Sequence, residues 1–294
     1  MNITTENIYG SGLLITLHMG GYEGRAKMTK EQLKDFPTEI VRGVHDLFDK
    51  DFKEQLAKIW SVDMRVRDKV RSKTVPFPID GVYFLKSDKV EEIINYLEEE
   101  KKIREDLVNE ASLMYDEAIV RFSNEYPDFY KAAKHKYIPK DEFISRFYFK
   151  YQFLKIAPPD KDSVLSPEVY KKEMAKFRES IEDMKREVLS IVAQSLLEST
   201  VRLKTQCTEG KPNQRTLDNL NKFLKQIDDV YSDFIDRKDL KDVIANVRAS
   251  ILGVDAESLR SKDDFKKEFK KAISEAAESI KALPDIPLKR SIEF

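Results

Sequence analysis

The stretch from Ser166 to Cys207 constrains this chain more than any other feature. Apolar residues fall at Tyr170, Met174, Phe177, Ile181, Met184, Val188 and Ile191, stepping alternately by four and three. Those steps keep one helix face apolar through three heptads, the spacing a partner helix needs to interlock. Ser166, Pro167 and Glu168 suit the start of such a helix: a hydroxyl to cap, a proline with no donor to lose, and an acid at the positive end. Gly210 and Pro212 suit its end. About 40 residues at roughly 1.5 Å each give a rod of about 60 Å. A compact sphere built from the whole chain would span only about 50 Å, so an elongated molecule is expected. The seam residues Tyr170, Met174, Phe177, Ile181, Met184 and Val188 are expected to pack within the body or to form an interface.

The flanking segments supply partners for that rod. Leu217, Leu220, Leu224, Ile227, Tyr231 and Phe234 predict a helix folded back on it after Gly210-Lys211-Pro212. Leu240 to Ile251 predict another helix, stopped by Gly253, and Ser261 with Asp264 marks the start of a last one running to Leu283. Upstream, Asp88 to Pro127 reads as a second long helix whose apolar seam weakens between Leu97 and Leu107, where Glu98-Glu99-Glu100-Lys101-Lys102 intervenes. A helix from about His45 to Ser72 precedes it. Val75-Pro76-Phe77-Pro78 cannot be helical and marks a joint.

The N-terminal part reads differently. Leu13–His18 and Arg25–Met28 flank Gly20-Gly21-Tyr22-Glu23-Gly24, which predicts a β-hairpin; the spacing does not fit a phosphate-binding glycine loop. Thr29 is expected to open a short helix, and the last residues, from Leu288, are expected to be extended. The resulting fold class is mainly α: an elongated helical bundle or coiled-coil-like body over residues 86–294, preceded by a small α+β head over residues 1–85. Alternating Phe147, Phe149, Tyr151 and Phe153 predict an aromatic, β-like insert in the body around residues 143–157.

Charge separates by segment, not by total. Lys and Arg number 52 against 53 Asp and Glu, so the net charge of −1 gives no global argument for nucleic acid or an anionic membrane. Locally, residues 131–155 carry seven Lys and Arg against Asp141 and Glu142, a charge of +5, whereas residues 88–110 carry nine acids against four bases, a charge of −5. The single cysteine excludes an internal disulfide and fits a reducing compartment. No segment has the roughly 20 apolar residues of a membrane span, and the opening residues lack the pattern of a signal peptide. A cytoplasmic protein with no membrane partner is expected, in the host cytoplasm if phage-encoded, an origin to which the Lys, Ile, Asn and Glu richness points.

Residues 79–157 also carry a family likeness. Gly81-Val82-Tyr83-Phe84 leads into the acidic helix, followed by Arg121-Phe122-Ser123-Asn124-Glu125-Tyr126-Pro127-Asp128-Phe129 and Ser145-Arg146-Phe147-Tyr148-Phe149-Lys150-Tyr151-Gln152-Phe153-Leu154-Lys155-Ile156. This pattern, with the Asn2-to-Leu33 stretch, resembles the bacterial and phage family catalogued as domain of unknown function 3150. The family has no established activity. Its genes often lie near those of MoxR-type AAA+ ATPases and von Willebrand A proteins, so the resemblance implies an accessory or partner role in such a module. It supplies no catalytic residue.

The residues themselves offer little chemistry. His18, His45 and His135 are far apart, and one cysteine does not make a zinc site. Cys207 lies at a helix C-terminus, whose negative dipole end disfavours a thiolate. Asp229, Asp233, Asp236, Asp239 and Asp242 could hold a divalent cation, but Lys225, Arg237, Lys238 and Lys241 interleave with them, and a solvated charged face is expected. No catalytic residue, cofactor or metal is expected. The expected function is non-enzymatic assembly or adaptor work through helix faces, by self-association or by docking on a larger machine such as a MoxR-type AAA+ module or a phage assembly. The alternative is single-stranded nucleic-acid binding by the 131–155 stretch, with Lys134, Lys136 and Lys150 for phosphates and Phe147, Phe149 and Tyr151 for stacking. Against that alternative, the basic stretch and the acidic 88–110 stretch can neutralise each other with the rings in the core. Arg65, Arg67, Lys69, Arg71 and Lys73 near Trp60 form a second basic stripe, expected as a solvated helix face.

Overall fold

A computed structural model of the chain describes residues 7–27, 44–158, 166–286 and 288. In chain order the elements are α1 (Ile8–Ser11), β1 (Gly12–Met19), β2 (Arg25–Lys27), β3 (Val44–Asp46), α2 (Lys50–Lys73), β4 (Val75–Pro76) and β5 (Val82–Lys86). Then come α3 (Val90–Glu125), α4 (Pro127–Ala133), α5 (Lys140–Arg146), β6 (Phe149–Leu154), α6 (Pro167–Thr208), α7 (Gln214–Gln226), α8 (Lys238–Ile251), α9 (Ala256–Ser261) and α10 (Asp263–Lys281). The fold is mainly α with a small sheet component. The helix expected at Thr29 lies outside the described residues, as does the extended tail apart from Leu288.

Two compact units emerge. The first draws on residues up to Ile15, from Arg71 to Asp88 and from Leu154 onward; the second holds Thr16–Val70 and Lys89–Phe153. Residues 71–88 therefore sit with the C-terminal helices, a grouping that crosses the expected boundary at residue 85.

In the first unit α6 is the axis, and α10 is its principal neighbour. Ser166 caps α6 by accepting from the Val169 N–H, and Pro167 takes its first turn. At the other end Gly210, at φ +71°, and Lys211 donate their N–H groups to the carbonyls of Cys207 and Gln206. That pairing is the left-handed closure that satisfies the last orphan carbonyls. Ile181, Met184 and Val188 are fully buried, whereas Tyr170, Met174 and Phe177 are half-buried. Beyond Val188 the buried stripe steps by four, through Val192, Leu196 and Thr200, and leaves Ile191 half-buried. A straight helix with 3.6 residues per turn drifts off a 3.5-residue rhythm, so the heptad pattern loses phase there. The Thr200 hydroxyl spends its hydrogen on the helix's own carbonyls at Leu196 and Leu197.

Leu217, Leu220 and Leu224 of α7, Leu240 and Val247 of α8, and Phe269, Ile273 and Ile280 of α10 complete the core around α6. Val75 and Phe84 join it from the antiparallel β4–β5 hairpin, in which Val75 faces Phe84 and Pro76 faces Tyr83. The seam of the long helix is thus covered largely by this chain's own helices. Ser261 does not open the last helix as expected. It ends α9, its hydroxyl donating to the Glu257 carbonyl, while Asp255 caps α9 through the Ser258 N–H at 2.8 Å.

The second unit packs α2 against α3 over an aromatic core. Phe48, Phe52, Tyr115 and Phe143 are buried, with Tyr115 stacked on Phe143 at 4.4 Å. The phenols keep their polar ends satisfied: Tyr115 donates to the Ile138 carbonyl at 2.7 Å and Tyr137 to that of Leu47 at 2.5 Å. The glycine-rich stretch is not the expected hairpin turn. β2 pairs antiparallel with β3, Arg25 opposite Asp46, while the end of β1 lies beside β6, with the Gly20 N–H donating to the Tyr148 carbonyl at 3.0 Å. The glycines serve close approach instead. A Cβ on Gly20 would stand 2.7 Å from the Arg146 carbonyl oxygen and collide with the Tyr148 ring.

Candidate functional site

The nucleic-acid candidates do not form one patch. Lys134 is exposed and Lys136 half-exposed on a short 3₁₀ turn between α4 and α5, beside Tyr137. Phe147 packs half-buried on the aromatic core, edge-on to Phe143 at 5.0 Å, with the Arg104 guanidinium 5.8 Å over its ring. Phe149, Tyr151 and Phe153 share the half-buried side of β6, while Lys150 faces solvent. The Tyr151 hydroxyl donates to the Glu98 carboxylate; burial first, and that bond second, push its pKa up to about 12. Ile138 is tied to Tyr115 and Tyr151 to Glu98, 17 residues apart on α3 or about 25 Å of helix. The two lysines of the turn and the rings of β6 therefore lie at different heights along α3.

The acidic stretch finds its counter-charges mainly on α2. Glu100 meets Arg65 at 2.8 Å and Glu92 meets Lys69 at 2.8 Å, so the second basic stripe lines one helix–helix contact and is not simply a solvated face. Gln55, also buried, donates to the Leu107 carbonyl and to Glu110, each at 3.0 Å. Deepest of all, Arg104 pairs with Asp63 at 2.6 Å and donates a further bond to the Gly20 carbonyl at 2.5 Å. The weak stretch of the α3 seam is filled by these two polar residues, Glu100 and Arg104. Sequence reading missed them, yet the signal was present: Leu97, Glu100, Arg104, Val108 and Ala111 keep the three–four step. The pair ties α2 to α3 from within, each of its side chains only 2% exposed.

The aspartate cluster disperses. α7 gives way at Ile227 to a π turn and then a 3₁₀ turn, so the expected helix to Phe234 ends early and the carboxylates fan out. Of the cluster, Asp233 pairs with Lys86 at 2.5 Å and Asp239 with Arg237, while Asp228, just outside it, pairs with Arg248 at 2.8 Å. Among the described residues no three His, Cys, Asp or Glu side chains gather as metal ligands. Cys207 is buried, and that burial raises its thiol pKa against the pull of Lys266 and Lys270. Among the described residues, no helix is long and apolar enough to cross a membrane.

Two of the exposed apolar side chains share one helix face. On the outer face of α3, Leu113 is 78% exposed and Val120, one heptad on, is 56% exposed. Asp106, Asp116 and Glu117 stand on the same side of the helix, Asp116 also 3.5 Å from Lys140 and Glu117 3.0 Å from Arg121. An apolar pair inside an acidic frame can be covered by a partner that brings apolar and basic groups together.

Residues 11–227 match the model of a family described as Protein of unknown function (DUF3150). No curated protein and no solved structure matches the chain.

Proposed function

We propose a function from one premise: the chain belongs to the DUF3150 family, whose description names no activity. It is a non-enzymatic adaptor that works by contact, docking through the outer face of α3 onto a protein partner of basic character. The observation that carries this reading is the exposure of Leu113 and Val120 within an acidic surround. Self-association through the α6 seam is a weaker form of the reading, because Ile181, Met184 and Val188 already lie in the core of their own unit. Two copies joined face to face through α3 would also set carboxylates against carboxylates. A basic surface on a larger machine fits better, and a MoxR-type AAA+ ATPase is the candidate to try first.

The test compares the native chain with a Leu113→Glu/Val120→Glu variant. Light scattering over a range of concentrations and titration with the purified ATPase are the measurements. Association that the double substitution weakens at least tenfold, with the unfolding midpoint unchanged, supports the reading. A strict monomer that binds no ATPase, or binding indifferent to the substitutions, removes it.

A second reading, single-stranded nucleic-acid binding, draws on Tyr148, which is 46% exposed with the Lys150 ammonium 5.8 Å from its ring. Glu98 beside Tyr151 opposes it, since a phosphate would meet that carboxylate. Retention on single-stranded DNA or RNA that fades with salt supports this reading. Absence of binding at low salt sinks it.

A further inference from the structure

One cavity of the second unit is walled half by rings and half by charged side chains. It has a volume of about 420 Å³ and lies where β3, the start of α2 and the end of α3 come together. That size falls within the range of small-ligand pockets. Tyr126 is tilted 44° to Phe122 with centroids 5.1 Å apart, and Phe129 stands at 75° to Phe122 at 5.9 Å. His45 is set at 59° to Phe129, 5.6 Å away. Rings inclined in this way form walls and not a stack, and their electron-rich faces attract a cation.

The charges at the rim decide the sign. Lys53 is held by Asp46 at 2.7 Å, Arg121 behind the wall by Asp49 at 2.5 Å, and Lys50 leans toward Glu54 at 3.7 Å. Each cation near the cavity therefore faces an acid, and Glu125 is a further carboxylate on the rim, where it accepts from the Tyr126 hydroxyl.

We propose that this cavity binds a primary alkylammonium head. The rings supply cation–π attraction and Glu125 the counter-charge. An anion would meet Glu125 and the ring faces with the wrong sign, and a neutral alkyl chain would leave the carboxylate unused. The ammonium can come from a free amine or from a lysine side chain, whose chemistry at the cavity is the same.

The experiment is an aromatic-region NMR titration of the full chain with n-butylammonium chloride at fixed ionic strength. 1-Pentanol, one carbon longer, serves as the neutral alcohol, butyrate as the anion and Nα-acetyl-lysine amide as the lysine arm. Saturable shifts of the Phe122, Tyr126 and Phe129 rings are expected with the amine, at an affinity at least tenfold above that for pentanol and with no response to butyrate. Equal or tighter binding of the lysine amide assigns the source to a protein side chain; weaker binding assigns it to a free amine. Glu125→Gln should weaken amine binding at least fivefold without moving the unfolding midpoint, and Phe129→Leu should weaken it further. Absence of saturation by either ammonium, pentanol binding as tightly as the amine, butyrate binding, or a silent Glu125→Gln overturns the proposal.

Discussion

Arg104 and Asp63 meet through two bonds almost out of reach of water: Nε donates to Oδ1 at 2.6 Å and Nη2 to Oδ2 at 3.3 Å, with each side chain 2% exposed. Burial of both charges costs much of what their attraction returns, so the intact pair adds little net stability. Removal of one partner is another matter, because it strands the other. Arg104→Met or Asp63→Leu should each destabilise the fold by about 3–5 kcal/mol, whereas Arg104→Met with Asp63→Leu should cost clearly less than the sum of the two single changes. Urea unfolding of the four proteins measures this. Additive losses would mean that the two residues do not act as a pair.

What the sequence allowed to be read was largely local. The cap at Ser166, the closure at Gly210 and the buried run Ile181, Met184 and Val188 depend on residues within a turn or two of each other. The Asp63–Arg104 pair depends on the register of two helices 41 residues apart, and nothing local fixes that register. Gly20 shows the same limit from the other side. Glycines between two apolar runs look like a hairpin, but the partner that β1 takes here is β6, far along the chain. The aromatic stretch was ambiguous for a related reason: rings interleaved with lysines read alike whether they stack on bases or on one another. Here Phe143 and Phe147 turn into the core while Tyr148 and Lys150 face out.

Gly20 gives a direct check on that strand pairing. Because its missing Cβ leaves room for the Arg146 carbonyl and the Tyr148 ring, Gly20→Ala forces backbone apart. A loss of about 1–3 kcal/mol is expected. Gly10→Ala, where nothing lies within 4 Å, is the matched control and should change little by comparison. Equal effects at the two positions would contradict the close approach.

Acid should weaken the second unit through Asp46 and Asp49. The bond from Lys53 is the main cause holding the Asp46 carboxyl below the usual range. At Asp49 burial pushes upward but is outweighed by the bonds from Arg121 and the Phe52 N–H. Both groups thus release their protons more readily when folded. Their stabilisation is complete above the unfolded carboxylate value, about pH 4, and disappears as pH falls through the lowered folded values. Denaturation midpoints measured from pH 7 downward should show this loss. Asp49→Asn should start lower at pH 7 and fall less steeply below pH 4; a profile parallel to the native one would rule out its share.

Cys207 should behave as an inert core thiol. It is 1% exposed, and burial raises its pKa although Lys266 and Lys270 pull the other way. Reaction with a disulfide reagent near neutral pH needs both access and thiolate, and the native fold restricts both. The expected outcome is slow modification that accelerates at least about tenfold when the chain is unfolded in urea. Rapid stoichiometric reaction of the native protein would show that the end of α6 opens readily.

The seam of α6 separates a core from a surface along a single helix. Met184 is fully buried among the helices of its own unit, whereas Tyr170, two heptads earlier in the same rhythm, is half-buried. Truncation at Met184 removes buried atoms and leaves a cavity, so Met184→Ala should cost about 2–5 kcal/mol. Tyr170→Ala loses a side chain already partly in water, and its cost should be well below that of Met184→Ala. If the seam served chiefly to join two copies, the order would depend on protein concentration: Tyr170→Ala would hurt most where the protein is concentrated, and the native midpoint itself would rise with concentration. Midpoints independent of concentration, with Met184→Ala the more damaging change, are expected. They would assign the heptad pattern to folding and leave the outer face of α3 as the surface to test for partners.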